Sequence, residues 1–367
     1  MKRYTILHTM KTAGPGGAET VVLNLATRLD PRRFRSIALL PHESWLGKKL
    51  SENGVPTYFA EGRAFRIPRA MVKVIRDQHV DLVHSHLDQN FYGCLAGCLA
   101  GRKTLVTYHG PVELSGARRL KNAIELFVIR KSASAVVVVC DFVGEMLKKI
   151  GFPADKIFRI YNGISLAKLE NASQGRLRDE LGLRNGSKLV GMVANIRGSK
   201  GYEYFIRAAR QVCAADPQTR FVAVGDIDQE LAKPLWQLLD EFKLRDRVHF
   251  LGFREDVPEI LRDLDVFVLS STSEGLPLVT LEAMGAGKPV VVTRCGGPQE
   301  VVDEGRTGYV VPPADAGALA ERIWELLRSP EEAANLGAAA REKVQREFSV
   351  ERMVANYEEL YERVLND

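Results

Sequence analysis

Ser273-Glu274-Gly275-Leu276-Pro277-Leu278-Val279-Thr280-Leu281-Glu282-Ala283-Met284-Gly285 is the stretch that decides the fold. It sets one carboxylate in a loop and a second eight residues later, inside the first turns of a helix. Pro277 suits the first helical position, where its missing N–H would be unpaired anyway, and Gly285 and Gly287 end the segment. Immediately upstream, 264–269 reads as a buried strand closed by Ser270, Ser271, Thr272 and Ser273. A strand, a short loop and a helix N-terminus form an anion site, because free backbone N–H groups and the helix dipole both face the loop. Two carboxylates beside it suit a ligand carrying phosphate and hydroxyls. Phosphate would lie on the amides, and hydroxyls would donate to Glu274 and Glu282. The competing reading is an exposed loop glutamate plus a helix glutamate favoured only by the dipole.

Outward from this stretch, strand-like apolar runs alternate with helical patterns along the whole chain, which argues for parallel sheets built from βαβ units. In the first half the strands fall at 4–9, 34–40, 81–85, 103–108, 135–139 and 156–160, with helical patterns such as 19–29, 69–78 and 119–131. The reading turns polar between about 165 and 187. Strands then resume at 188–194, 219–224, 247–251, 266–269, 289–293 and 308–311. The chain is therefore α/β, with one domain at 1–168, an interdomain region at 169–186, a second domain at 187–348 and a last helix at 349–367. Two similar sandwiches with a cleft between them are expected.

Composition agrees with a folded, soluble chain. Its 367 residues can build two cores, and 46% apolar and 26% charged residues are ordinary for globular proteins. No run reaches the roughly 18 apolar residues that span a bilayer, and residues 1–8 read as a first strand with no signal peptide. Five cysteines, without a Cys-x-x-Cys pair, fit a reducing cytoplasm; Cys94 and Cys98 are expected on one small-residue helix face. Charge is unevenly divided. Residues 1–165 hold 25 Lys and Arg against 13 Asp and Glu, a net of +12; with +5 for the whole chain, residues 166–367 carry −7. The first half is thus the side expected to meet something anionic, either a membrane surface or a lipid-linked phosphate. Nucleic acid is not expected, because the basic residues are scattered and no binding module is visible.

Other constellations lie at strand ends. Gly14-Pro15-Gly16-Gly17-Ala18-Glu19 follows the first strand, yet it is not the dinucleotide fingerprint, whose third glycine would fall at Glu19. His84 and His86 share a strand face. A metal would need a third ligand that the sequence does not signal, so they read as hydrogen-bonded strand-end residues. His109 closes the next strand ahead of the loop at 111–117, where open α/β sheets bind ligands. In the helix at 119–131, Leu120, Ala123, Ile124, Phe127 and Val128 form one apolar face that reads as core. Arg118, Arg119, Lys121, Arg130 and Lys131 surround it with charge suited to anionic lipid. In the second half, Arg197 and Lys200 sit in a strand-to-helix loop, where cations can neutralise a diphosphate leaving group.

These motifs together resemble the retaining glycosyltransferases of the GT-B fold, specifically the large fourth sequence family, and the resemblance covers nearly the whole chain. The Glu274-x7-Glu282 spacing matches that family's signature. The resemblance implies two Rossmann-like domains facing across a cleft, with the last helix crossing back onto the first. It implies that Glu274 faces the donor sugar, Glu282 holds the ribose, and the amides of Gly275, Leu276, Pro277 and Leu278 border the diphosphate, Pro277 by position only. Gly16 and Gly17 would border the donor phosphates and acceptor, and His109 the sugar near its reacting carbon. Lys200 carries over directly. The family's arginine five residues before it is Asn195 here, so Arg197 stands as a substitute. Gly225 lacks the second glycine of the family's turn, and Phe253 would border the base.

The catalytic set is then Glu274, His109 and Lys200. The implied reaction moves a sugar from a nucleotide-diphosphate donor to a hydroxyl with retention, without cofactor or metal, on a lipid-linked saccharide or polysaccharide precursor at the inner face of the cell membrane. Whether Glu274 attacks or only orients the sugar stays open, with orientation preferred. A GT-B nucleotide-sugar epimerase and a non-catalytic nucleotide-sugar-binding protein are the alternatives. A nicotinamide dehydrogenase lacks its fingerprint, and a solute-binding protein lacks an export signal.

Overall fold

The computed structural model describes residues 2–12, 14–60, 66–112, 119–183 and 186–367. Its β-branched runs become two all-parallel sheets. The first comprises β1 (Tyr4–Met10), β2 (Phe34–Leu40), β3 (Thr57–Phe59), β4 (Leu82–His86), β5 (Lys103–Tyr108), β6 (Ala135–Val138) and β7 (Ile157–Arg159), in spatial order β3-β2-β1-β4-β5-β6-β7. The second comprises β8 (Leu189–Val193), β9 (Arg220–Val224), β10 (Val248–Phe250), β11 (Val266–Leu269), β12 (Val290–Thr293) and β13 (Tyr309–Val311), ordered β10-β9-β8-β11-β12-β13. Parallel neighbours require crossover helices, which bury both sheet faces and explain why β6 and β12 are continuous apolar runs rather than alternating ones.

The chain divides into two units, Met1–Gly163 with Val350–Asp367, and Ile164–Ser349. The C-terminal helix Val350–Asn366 therefore belongs with the first sheet. Its Tyr357 and Tyr361 are fully buried, and each hydroxyl finds a polar partner, Thr107 Oγ1 at 3.3 Å and His84 Nδ1 at 2.6 Å. Arg33 anchors the same helix through Glu358 at 3.1 Å and Glu362 at 2.6 Å.

Four features depart from the sequence reading. The strand β3 is only three residues long, too short to show a period, and makes the first sheet seven-stranded. The polar stretch 169–186 is built into the second unit as the end of helix Leu166–Glu170 and as helix Arg176–Glu180. The Asp263 carboxylate accepts from Leu177 N at 2.7 Å and Arg178 pairs with Asp265 at 2.6 Å, which pins the second of these helices; residues 184 and 185 lie outside the described residues. The helix Arg119–Ser132 is not a core helix along the face that its sequence spacing marked. Ile124 and Phe127 are 54% and 53% exposed, while Ile129, on another side, is 4% exposed. The loop expected at 111–117 and Arg118 fall largely outside the described residues. Cys94 is buried and Cys98 exposed, so these two do not share one packed face.

Candidate functional site

The order of the second sheet reverses between β8 and β11. Open parallel sheets bind ligands beyond the carboxyl ends of the strands at such a reversal. After β8 the chain passes Asn195, Ile196 and Arg197, makes a tight turn at Gly198–Lys200 and enters helix Tyr202–Ala215. After β11 it runs through Ser270, Ser271, Glu274 and Pro277 into helix Leu278–Gly285. Hydrogen bonds join the two loops: Thr272 N donates to Ser199 O at 2.8 Å, and the Ser270 hydroxyl donates to Gly201 O at 3.0 Å. Gly201 has a φ of +66°, and a Cβ there would stand 2.0 Å from the Ser270 carbonyl oxygen. Only glycine permits the loops to come so close.

Their approach brings Lys200 and Glu274 together. Lys200 Nζ donates to Glu274 Oε1 at 2.6 Å, and the Ser271 hydroxyl donates to the same oxygen at 2.6 Å. The side chains are 22% and 10% exposed, so water screens the pair only partly. Glu274 Oε2 accepts no hydrogen bond among the described residues. Gly275, Leu276 and Pro277 then lead into the helix that begins at Leu278, and Pro277 caps that helix rather than occupying its first turn. Glu282 follows on the helix, partly buried. Desolvation raises its carboxyl to about 7, with Lys168 opposing the shift.

Neighbouring loops complete this region. Asn195, which stands where the family has arginine, accepts from Asp226 N through Oδ1 at 2.9 Å and so holds the turn after β9. Gly225 in that turn has a φ of +145°, and a Cβ would lie 2.2 Å from Ala194 O. Its N–H donates to Gly252 O at 2.9 Å, next to Phe253, which is 45% exposed. Arg197 is exposed, and its guanidinium makes no bond among the described residues. Sequence reasoning missed Ser271 as the second donor to Glu274; its signal was its place in the polar run three residues upstream.

Gly16, Gly17 and His109 belong to the first unit. Gly16 caps helix Gly17–Arg28, and its carbonyl accepts from the Thr20 hydroxyl at 2.9 Å. His109 is partly buried, and its Nε2 lies 3.0 Å from His86 Nδ1. The third imidazole that the sequence did not signal is His8, register partner of His84 across β1 and β4. Ring nitrogens of His8, His84 and His86 lie within 4.8 Å of one another. His84, however, has both nitrogens engaged, with Tyr361 at 2.6 Å and Thr107 at 2.8 Å. No carboxylate joins the group among the described residues to offset a buried divalent charge. Burial holds His8 at about 3 and His109 at about 4, and keeps His84 and His86 well below the usual range, so the array is neutral at physiological pH.

Comparison with known proteins bears on this arrangement. A model of the glycosyl transferases group 1 matches residues 173–343, and one of glycosyltransferase family 4 matches residues 15–168. N-acetyl-alpha-D-glucosaminyl L-malate synthase of Bacillus anthracis is 29% identical over 81% of this chain and 78% of its own. The UDP-Gal:alpha-D-GlcNAc-diphosphoundecaprenol alpha-1,3-galactosyltransferase of Escherichia coli is 28% identical over 80% of this chain and 83% of its own. EpsD of Bacillus subtilis, a putative glycosyltransferase, is 30% identical over 80% of this chain and 79% of its own. The crystal structure of HepE from Anabaena, in complex with UDP and glucose, superposes with a TM-score of 0.88 at 25% identity, covering 98% of this chain and 100% of that one. Because family models of glycosyltransferases match both halves and a 30% identical relative is covered over 79% of its length, the chain belongs to the glycosyltransferases, and its two parallel sheets are those of the GT-B fold.

Proposed function

We propose that the chain transfers a sugar from a uridine diphosphate donor to a hydroxyl acceptor with retention of anomeric configuration, without a metal. The observation that carries this reading is the Lys200–Glu274 pair, set at the reversal of the second sheet and in front of a helix N-terminus. The E. coli relative uses UDP-Gal, and HepE binds UDP, which supports uridine as the base.

In this reading the donor diphosphate replaces Glu274 as the partner of Lys200. The ammonium and the amides leading into helix Leu278–Gly285 then stabilise the negative charge that grows as the bond from the anomeric carbon to the diphosphate oxygen breaks. Glu274, still held by Ser271, is released to accept hydroxyls of the sugar, which acquires oxocarbenium character. The acceptor oxygen attacks from the face that the diphosphate leaves, and a diphosphate oxygen takes its proton. Glu274 orients the sugar in this scheme, and His109 contributes a further sugar contact, as the family resemblance implies. Lys200→Ala and Glu274→Ala should each lower UDP release from UDP-sugars by roughly 100-fold or more. Wild-type turnover should persist in EDTA, and NMR of the product should show the donor's anomeric configuration. Unchanged turnover in both variants would remove the assignment, and an inverted product would remove retention.

Glu282 is assigned to the ribose hydroxyls. Its carboxyl titrates near 7 in the folded chain, against 4.5 when unconstrained. Below pH 4.5 both states hold the proton; between 4.5 and 7 the unfolded chain loses it first, so ligand-free stability falls as pH rises. The cost at pH 8 is about 3 kcal/mol. Glu282→Gln should therefore be more stable than wild type at pH 8 and equal to it at pH 4 in urea unfolding, while binding UDP more weakly. A variant no more stable at pH 8 would contradict the buried-carboxylate account.

The acceptor proposed is a lipid-linked saccharide or polysaccharide precursor, met on the cytoplasmic face of the membrane. No helix of the described residues is long and apolar enough to cross a bilayer. The exposed Ile124 and Phe127, with Lys121 and Lys131 beside them and the Arg130 guanidinium 5.6 Å from the Phe127 ring, suit an anionic surface instead. Wild type should sediment with phosphatidylglycerol vesicles at low salt, and Ile124→Glu/Phe127→Glu should not. Equal sedimentation of both, or of neither, would defeat membrane docking through this helix.

A further inference from the structure

The first sheet also reverses, between β1 and β4, and four histidines gather there. Two of them, His86 at the end of β4 and His109 just beyond β5, are bonded to each other, Nδ1 to Nε2 at 3.0 Å. His86 cannot readily turn. It is fully buried, and its ring packs on that of His84, with centroids 4.0 Å apart. His84 is itself fixed from two sides by Tyr361 and Thr107, and Thr107 is bonded in turn to Tyr357. Two tyrosines of the C-terminal helix thus lock His84, which backs His86, which holds His109.

The surrounding hydrogen bonds also favour one direction for the His86–His109 bond. A neutral imidazole carries one N–H and one lone pair. His86 Nε2 is buried without a partner. If His109 donated, His86 would have to keep its own proton on that unpartnered Nε2, leaving a buried N–H unpaired. If His86 donates from Nδ1, the unpaired atom is only a lone pair, and buried proteins tolerate under-used acceptors better than orphan donors. The second arrangement is favoured. It leaves His109 with its proton on Nδ1, a nitrogen that makes no hydrogen bond among the described residues.

We propose that His86 is a positioning residue for sugar transfer, donating Nδ1–H to His109 Nε2 so that His109 is held as the Nδ1–H tautomer and presents a donor to an oxygen of the bound sugar. This rests on the reading of His109 as a sugar contact, and goes beyond it by naming the group that sets its ring and its proton. His109 then offers a donor, which a sugar oxygen satisfies by accepting.

The test uses the full chain labelled with 15N-histidine. Long-range proton–nitrogen spectra, assigned through His86→Asn and His109→Gln, should find the wild-type His109 proton on Nδ1 and a bare Nε2. A proton on Nε2 would overturn the proposal. UDP release from UDP-glucose, UDP-galactose and UDP-N-acetylglucosamine provides the second readout. His86→Leu should lower kcat by roughly 10- to 100-fold with little change in KM. His86→Asn, whose amide nitrogen can stand in for Nδ1, should recover most of it. Equal loss in the Leu and Asn variants would reduce His86 to a packing residue and contradict the proposal. Full activity in His109→Ala would instead remove the sugar-contact reading, while the spectra would still decide which nitrogen carries the proton.

Discussion

A parallel sheet whose strand order reverses must send the connections on either side of the reversal to opposite faces, and the ends of those two strands are left without a helix lying over them. Everything proposed for the second unit depends on that constraint. It is what lets the loops after β8 and β11 meet, and Gly201 is what lets them meet closely enough for a lysine and a glutamate to share a bond. The ion pair is therefore a product of topology rather than of sequence neighbours, since 74 residues separate its partners. A pair made this way is well suited to exchange. Glu274 keeps a second donor in Ser271 when the lysine turns to phosphate, so neither charge need be stranded while a ligand is exchanged.

The first unit uses the same constraint differently. At its reversal stand imidazoles rather than an ion pair, and desolvation keeps them neutral. Neutral rings can be buried where charged groups would be costly, provided that their nitrogens find partners. The C-terminal helix supplies one of these directly, the Tyr361 hydroxyl on His84, and its Tyr357 braces Thr107, the other partner of His84, which ties the docking of that seventeen-residue helix to the order of the histidines.

How much of this was legible in the residues depended on distance along the chain. The strands β2, β5 and β11 fall where the sequence reading placed them, residue for residue, and β11, buried at every position, writes itself as a continuous apolar run. The Glu274-to-Glu282 stretch was readable because strand end, loop, proline and helix are local signals. What could not be read were facts of register and packing. His8 faces His84 only because β1 pairs with β4, and nothing in either segment announces it. Ile124 and Phe127 have the spacing of a core face, yet spacing cannot say whether a sheet or solvent covers it. Asn195 looked like the loss of an arginine; its amide oxygen instead braces the turn at Gly225, a role visible only in three dimensions.

In the proposed reaction Lys200 gives up Glu274 for the diphosphate of a uridine nucleotide. Calorimetric titration of UDP into the full chain and into Lys200→Ala tests it most directly. Saturable binding to the wild type is expected, weakened at least about tenfold in the variant, a difference of roughly 1.4 kcal/mol. Equal affinity in the two proteins, or no binding by the wild type, would contradict it.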